Sequence, residues 1–114
     1  MTREVRALTT ETFEQDVVQS QRPVLVDFYA DWCGPCKLVR PIVQELRSDY
    51  EGRVDVRKVD VDSNRDLANR YGVRCLPTLI LFKDGIVQDT IVGSVPKSHL
   101  AEVIDRHADQ ATPA

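Results

Sequence analysis

The chain has 114 residues and a formal net charge of −3, which fits one globular domain able to bury a core without disulfide crosslinks. The acidic balance and the scattered lysines and arginines exclude the basic surface that nucleic-acid binding requires. Three cysteines are too few for a secreted, disulfide-rich scaffold.

No segment resembles a targeting or membrane-spanning sequence. Residues 1–10 carry charges and lack an apolar stretch of signal-peptide length. No other segment approaches the ~20 apolar residues of a membrane span. We therefore expect a soluble protein in a reducing compartment, either the cytoplasm or, for a mature form, the stroma or matrix of an organelle.

The first half of the chain alternates strand and helix patterns. A short strand is predicted around Val5, and a helix from Thr10, its expected N-cap. The apolar face of this helix consists of Phe13, Val17 and Val18. Residues 24–30 are nearly all apolar, which predicts a central strand covered on both faces. A second helix should begin near Lys37 and bend at Pro41, which lacks a backbone donor. Its apolar stripe consists of Leu38, Ile42 and Leu46.

The middle of the chain repeats this alternation. Residues 54–61 predict another strand, and Ser63 or Asn64 is the expected cap of a short helix. The apolar residues of that helix are Leu67, Ala68 and Tyr71.

The last third of the chain predicts a hairpin and a closing helix. Residues 78–82 and 86–92 are strand-like, and Asp84-Gly85 between them is a turn signal, which indicates an antiparallel hairpin. Gly93 leads into a helix with Pro96 in its first turn. Its apolar stripe consists of Leu100, Val103, Ile104 and His107. The order βαβαβαββα implies a mixed sheet with helices on both faces, because parallel strands need crossover helices and the hairpin adds antiparallel edges.

Two cysteines separated by two residues, Cys33-Gly34-Pro35-Cys36, stand where a predicted strand gives way to a helix. At a helix start, unpaired N–H groups and the helix dipole favour a thiolate at Cys33, and a thiolate is the form that attacks disulfides. Cys36, one turn further on, can resolve the resulting mixed disulfide, and Pro35 fixes φ where its missing N–H is no loss. The spacing predicts a thiol–disulfide exchanger that transfers two electrons.

Other uses of the cysteine pair are disfavoured by the supply of ligands. A structural zinc site needs four ligands, and besides the pair the chain offers Cys75, His99 and His107, with no second close pair. An iron–sulfur cluster lacks its fourth cysteine, and haem attachment needs a histidine where Lys37 stands. We therefore expect neither a metal nor a bound cofactor. Two buried structural cysteines are the plain alternative.

Two charged residues occupy positions that the strand patterns predict to be interior. Asp27 interrupts the doubly buried strand, where an ionised carboxylate is costly, so its pKa should be raised. Alternation from Val54 through Val56 turns Lys58 toward the interior, where Asp27 is its expected partner. The functional interpretation is that Asp27, directly or through water, accepts the proton of Cys36 during resolution while Lys58 tunes it. The alternative is an ion pair kept for structure.

The order and spacing of these motifs resemble the thioredoxin family. The matching residues are Val26-Asp27-Phe28, Ala30, Trp32-Cys33-Gly34-Pro35-Cys36-Lys37, Pro41, Lys58, Leu76-Pro77-Thr78, Asp84-Gly85 and Val92-Gly93. The resemblance implies the α/β thioredoxin fold, a central mixed sheet flanked by helices, in a single domain over residues 1–114. It also implies that Cys33 is the nucleophile, Cys36 the resolving thiol and Pro77 a cis proline facing them. Tyr29 stands where many members carry a second tryptophan.

Residues around the cysteines should form a flat apolar rim for an extended partner peptide, with backbone before Pro77 free to pair like a strand. Trp32 is assigned to docking and shielding. The other docking residues are Gly34, Pro35, Cys75, Leu76 and Gly93. Cys75, the odd thiol, is either a small filler or a regulatory thiol.

The resemblance implies a general protein disulfide reductase. The Cys33–Cys36 dithiol would pass two electrons to disulfide-containing proteins, and a separate thioredoxin reductase, a flavoenzyme or a ferredoxin-linked enzyme, would recycle it. We expect a monomer without nucleic-acid or membrane partners. One alternative is a disulfide oxidant or isomerase, but such proteins usually carry a histidine between the two cysteines. The other is a non-catalytic interaction module, and the intact cysteine pair and Asp27 argue against it.

Overall fold

A computed structural model describes the backbone of residues 4–111 and the side chains of residues 4–107. The predicted single domain also includes residues 1–3 and 112–114, which lie outside the described part. The elements are β1 (Arg6–Ala7), α1 (Thr10–Phe13) continued by a π-helical turn (Glu14–Val18), β2 (Val24–Tyr29), α2 (Gly34–Asp49), β3 (Asp55–Asp60), α3 (Arg65–Arg70), β4 (Thr78–Lys83), β5 (Ile86–Val92) and α4 (Lys97–Ala111). This is the predicted order βαβαβαββα.

The five strands of the described region form one mixed sheet in the order β1-β3-β2-β4-β5. β1 and β2 each run parallel to β3, whereas β4 is antiparallel to both β2 and β5. β2 is the central strand, and its residues from Val24 to Phe28 are all buried, which confirms the prediction of a strand covered on both faces. Of the two hairpin strands, only β5 is an edge strand of the sheet, because β4 also pairs with β2. The other edge strand is β1.

Two hydrophobic clusters cover the two faces of the sheet. On one face, residues of α2 and α4 pack on Leu25, Val56 and Leu79. On the other face, residues of the first helix and α3 pack on Val26 and Phe82. The predicted layering of helix, sheet and helix is therefore confirmed, and the cysteine pair lies at one end of this sandwich.

The starts of three helices differ in detail from the predictions. The N-cap of α1 is Thr9 rather than Thr10, because Thr9 and Thr12 exchange the reciprocal hydrogen bonds of a capping box. Asn64 is the N-cap of α3, but its side chain makes no cap hydrogen bond. Instead its Oδ1 accepts the Thr10 N–H at 3.0 Å, which ties the two helix starts together. Pro96 lies one residue before α4 rather than inside its first turn.

The predicted apolar stripe of α2 is wrong at Leu38, whose side chain is 67% exposed. Ile42 is partly buried. The fully buried residues are Cys36, Val39, Val43 and Leu46, a spacing that follows the 3.6-residue helical repeat. The helix begins at Gly34, which is earlier than predicted. Because Cys36 faces the sheet, Leu38, two residues further along the helix, points toward solvent.

Arg57 of β3 is buried, although strand alternation predicts an outward side chain. Its guanidinium forms salt bridges with Asp16 at 3.2 Å and Asp55 at 3.4 Å. It also donates to the backbone carbonyls of Arg6 and Ala7. A buried cation is tolerated when its donors are satisfied in this way. Across residues 4–111, no helix combines the length and the apolar character needed to traverse a bilayer.

Candidate active site

The cysteine pair lies at the junction between β2 and α2, as the sequence predicts. Cys33 is the N-cap of α2, with Pro35 in the first turn, and its N–H donates to the Ala30 carbonyl at 3.1 Å. Cys33 and Cys36 form a disulfide with Cα atoms 5.3 Å apart, within the usual range for such a bond. One turn of helix therefore holds both sulfur atoms in bonding position.

The start of α2 is directed at the sulfur of Cys33. The backbone N–H of Cys36 donates to Cys33 Sγ at 3.2 Å. After reduction, this donor and the positive end of the helix dipole would stabilise a thiolate at Cys33. No equivalent donor reaches Cys36 Sγ among the described hydrogen bonds, so the two sulfur atoms are not equivalent, as the predicted division of roles requires.

The two cysteines also line different cavities. Cys33 borders an open cavity of about 590 Å³ together with Trp32 and Leu76. Cys36 borders a second cavity of about 380 Å³ together with Asp27 and Lys58. A partner disulfide thus has its access on the side of Cys33, whereas a proton acceptor lies on the side of Cys36.

Asp27 is buried in β2, with 6% of its surface exposed. Its Oδ1 has no hydrogen-bond partner among the described residues. Burial raises the pKa of Asp27 to about 7, against the opposing effects of the positive charges of Arg40 and Lys58. A carboxylate with this pKa exchanges protons readily near neutral pH.

Lys58 lies directly beside Asp27 in the pairing of β2 with β3, and both line the 380 Å³ cavity. The predicted shared face is therefore confirmed. The predicted ion pair is not a direct contact, because none of the salt bridges among the described residues joins the two groups. The Lys58 ammonium instead lies 5.7 Å from the centre of the Tyr29 ring, a cation–π position that holds it away from the carboxylate.

Arg40 is the charged neighbour that the sequence analysis missed. It borders the same cavity as Asp27, and after burial it has the largest effect on the pKa of Asp27. Arg40 follows Cys36 by four residues on α2, and residues at this spacing share a helix face. That spacing is the signal that could have identified it.

Replacing Arg40 should raise the pKa of Asp27 above its value of about 7, because the Arg40→Gln variant removes the positive charge that most favours the ionised form. Titration of the Asp27 carboxyl carbon by NMR in the oxidised protein measures the change. Arg47→Gln, a substitution on the same helix that does not border this cavity, is the control and should leave the titration unchanged. An unaltered titration in Arg40→Gln would show that Arg40 has no influence.

The predicted docking residues are brought together only in part. Trp32, Gly34, Pro35 and Leu76 line the 590 Å³ cavity, whereas Cys75 and Gly93 do not. The Leu76–Pro77 peptide bond is cis, the isomer that the resemblance implies. The Gly93 N–H donates to the Pro77 carbonyl at 2.8 Å, so Gly93 is next to Pro77 without bordering the cavity.

Trp32 presents its ring to solvent, with 71% of its surface exposed. The indole Nε1 donates to Asp62 Oδ2 at 2.9 Å. The sequence analysis missed Asp62 because this contact joins residues 30 positions apart. The bond fixes the indole beside Cys33, as a docking surface requires.

The emission of the single tryptophan should report the redox state. Trp32 adjoins Cys33, and the conversion of a disulfide to a thiolate and a thiol changes the immediate surroundings of the indole. Emission spectra of the oxidised and reduced protein should therefore differ. A Cys33→Ser/Cys36→Ser variant treated with the same reductant is the control and should show no change. Superimposable spectra for the two redox states of the unmodified protein would contradict the proximity of indole and sulfur.

Cys75 is a free, exposed cysteine. Its exposure argues against the interpretation of Cys75 as a small, buried filler residue. In the oxidised, folded protein it should react with an aromatic disulfide reagent to give one equivalent of released thiol, and Cys75→Ser should give none. If regulation follows, a glutathione adduct at Cys75 will lower activity toward protein disulfides more than toward small ones. A thiol that reacts only after unfolding would refute both expectations.

No metal centre is evident in the described part of the chain. Within residues 4–107, no group of three or more His, Cys, Asp or Glu side chains could hold an ion.

Comparison with known proteins gives a consistent result. The family model for thioredoxin matches residues 4–106. A thioredoxin 1 from Synechococcus elongatus is 52% identical over 101 residues, covering 89% of this chain and 94% of that protein. A thioredoxin from Pseudomonas aeruginosa is 48% identical over 105 residues, covering 92% and 97%. One from Staphylococcus aureus is 55% identical over 83 residues, covering 73% and 80%.

Proposed function

The chain belongs to the thioredoxin family and is a protein disulfide reductase, and from this premise we propose how its residues share the reaction. Cys33 is the nucleophile, Cys36 the resolving thiol and Asp27 the proton acceptor. The observation that carries this proposal is the placement of the two sulfur atoms, with Cys33 at an open cavity and Cys36 at the cavity of Asp27.

In the first step, the Cys33 thiolate attacks one sulfur of a partner disulfide. A bond forms between Cys33 and that sulfur, the partner's S–S bond breaks, and the second partner sulfur leaves as a thiolate that takes up a proton from water. The N–H of Cys36, which lies 3.2 Å from Cys33 Sγ, lowers the free energy of the attacking thiolate. Trp32 and Leu76 exclude water from one side of the mixed disulfide.

In the second step, Cys36 loses its proton to Asp27 and attacks the sulfur of Cys33. The mixed disulfide breaks, the remaining partner sulfur leaves as a thiolate that takes up a proton from water, and the Cys33–Cys36 disulfide forms. Two electrons pass to the partner, and each of its sulfur atoms ends as a thiol. With its pKa at about 7, Asp27 is partly ionised at neutral pH and well matched to this transfer.

The family implies two kinds of partner: proteins with reducible disulfides, and a thioredoxin reductase that restores the dithiol. We propose a broad range of protein substrates, since the rim around Cys33 is open and largely made of apolar side chains and glycine. We also propose that the protein acts as a monomer in a reducing compartment, the cytoplasm or the stroma or matrix of an organelle. The electron donor can be identified by comparing the rate at which the oxidised protein is reduced by a flavoenzyme with NADPH and by ferredoxin with its reductase.

Equilibration with glutathione buffers tests the direction of electron flow. A reductant must have a disulfide that is harder to reduce than the glutathione pool, with a potential below about −220 mV, whereas a strong oxidant lies near about −120 mV. We expect the value of a reductant, in keeping with Gly-Pro between the cysteines. A potential near that of an oxidant would favour the alternative of a disulfide oxidant or isomerase. Absence of any exchange with glutathione would favour a non-catalytic interaction module.

A further inference from the structure

The open cavity beside Cys33 has charged side chains in its lining. Its lining includes the charged side chains Asp62, Arg65 and Arg74. Arg65 is the first residue of α3, and Arg74 lies in the loop between α3 and β4. Val92 at the end of β5 and Gly93 after it lie next to Thr78 and Pro77; they do not border the cavity, and they carry no charge.

The two arginines of this cavity are not paired with acidic side chains within the described residues. Asp62 is engaged by the Trp32 indole at 2.9 Å. Within residues 4–107, neither Arg65 nor Arg74 takes part in a salt bridge. Two guanidinium groups and one carboxylate leave one net positive charge in the lining of the cavity that Cys33 borders, in a chain whose overall charge is −3. This local excess of positive charge is therefore opposite in sign to the charge of the whole molecule.

We propose that Arg65 and Arg74 select protein disulfides in which an acidic side chain flanks the attacked cysteine on the side that faces α3. This inference rests on the proposed function and specifies its substrate class. Guanidinium groups bind carboxylates through paired, charge-assisted hydrogen bonds. A peptide docked against Trp32 and Leu76 would bring such a carboxylate into the cavity. The uncharged side of the rim, at Val92 and Gly93, provides no equivalent selection.

The selection should be measurable with matched peptide disulfides. Each peptide carries one cysteine bonded to a chromophoric thiol, with Glu, Gln or Lys placed either before or after the cysteine. We expect Glu to exceed Lys in kcat/KM by roughly 2- to 5-fold at one of the two positions, as for exposed ion pairs, and to have little effect at the other. The difference should shrink at 1 M salt, because the Debye length falls to about 3 Å.

Two variants connect this preference to the cavity. Arg65→Gln/Arg74→Gln should react with the Glu and Lys peptides at similar rates. Arg70→Gln is the matched control, since Arg70 lies on the same helix but does not border the cavity, and it should keep the preference. Thermal melting checks that both variants are folded. A preference that survives the double substitution, or that is lost equally in the control, would overturn the proposal, as would equal rates in the unmodified protein.

A binding measurement separates this proposal from the proposed function. The Cys33→Ser/Cys36→Ser variant cannot exchange disulfides, and its affinity for the same peptides, with serine in place of cysteine, can be followed by Trp32 emission. Tighter binding of the Glu peptide than of the Lys peptide supports the selection even if no peptide disulfide is reduced. Equal binding together with equal rates would refute it while leaving the reductase activity intact.

Discussion

A Cys33→Ser variant should reduce insulin disulfides no faster than the uncatalysed reaction and should form no mixed disulfide, whereas Cys36→Ser should accumulate one. Cys33 borders the open cavity and accepts the N–H of Cys36, so its thiolate is the one that lies on the partner's side and is stabilised. Without Cys36, nothing resolves the intermediate. The two substitutions therefore block different steps of the same exchange.

Non-reducing electrophoresis and intact mass measure the adducts. Cys75 is exposed and could form adducts of its own, so both variants should be made with Cys75→Ser as well. In that background, the Cys36→Ser variant should carry one partner chain at Cys33. An adduct at Cys36 in the Cys33→Ser variant would mean that the roles of the two cysteines are exchanged.

Asp27→Asn should stabilise the oxidised protein at pH 8 by up to about 4 kcal/mol and leave its stability nearly unchanged below pH 4. Burial raises the pKa of Asp27 from 3.8 to about 7, and each pKa unit corresponds to about 1.36 kcal/mol. Below about pH 3.8 both folded and unfolded states are protonated. As the pH rises from there to 7, only the unfolded state ionises freely, so stability is lost, and above pH 7 the loss is complete.

Urea unfolding at pH 4 and pH 8 measures this difference. Asp31→Asn is a suitable control, because Asp31 borders the same cavity but is exposed, and it should show no comparable gain. The pKa of about 7 already includes the attraction of Asp27 to the charges of Arg40 and Lys58, so the expected gain is net of the loss of that attraction. An equal gain at both pH values would contradict the role of ionisation.

The same Asp27→Asn substitution should slow resolution by roughly 100-fold while changing the attack by Cys33 much less, as expected for loss of a general base. Single-turnover kinetics with a peptide disulfide separate the two steps. Equal slowing of both would favour the interpretation of Asp27 as a purely structural group.

The parts of this fold that could be predicted are those encoded by local patterns. Residues 24–30 form a central strand because an apolar run of that length can be buried on both faces. The Asp84-Gly85 turn specifies the hairpin without help from the rest of the chain, and both residues adopt positive φ. The cysteine pair belongs to the same class, because its chemistry follows from its position at a helix start.

The features that escaped prediction depend on contacts distant in sequence. Leu38 could be assigned to a face only once the phase of α2 was known, and that phase is set by the packing of Cys36. Arg57 lies on the face of β3 opposite to Lys58, and that face is covered as well. The Arg57 side chain is therefore buried on the opposite face of the sheet, where Asp16 provides the compensating charge.

The attachment of the N-terminal segment affects the order in which the chain can fold during synthesis. β1 pairs only with β3, through Arg6 and Arg57, and the Thr10 N–H is satisfied by Asn64, 54 residues later. The pairing of β1 and the hydrogen bond of the Thr10 N–H therefore cannot form until more than half of the chain has been made. Contacts of such large sequence separation form late, so residues 6–10 should acquire their structure after the strands that follow them.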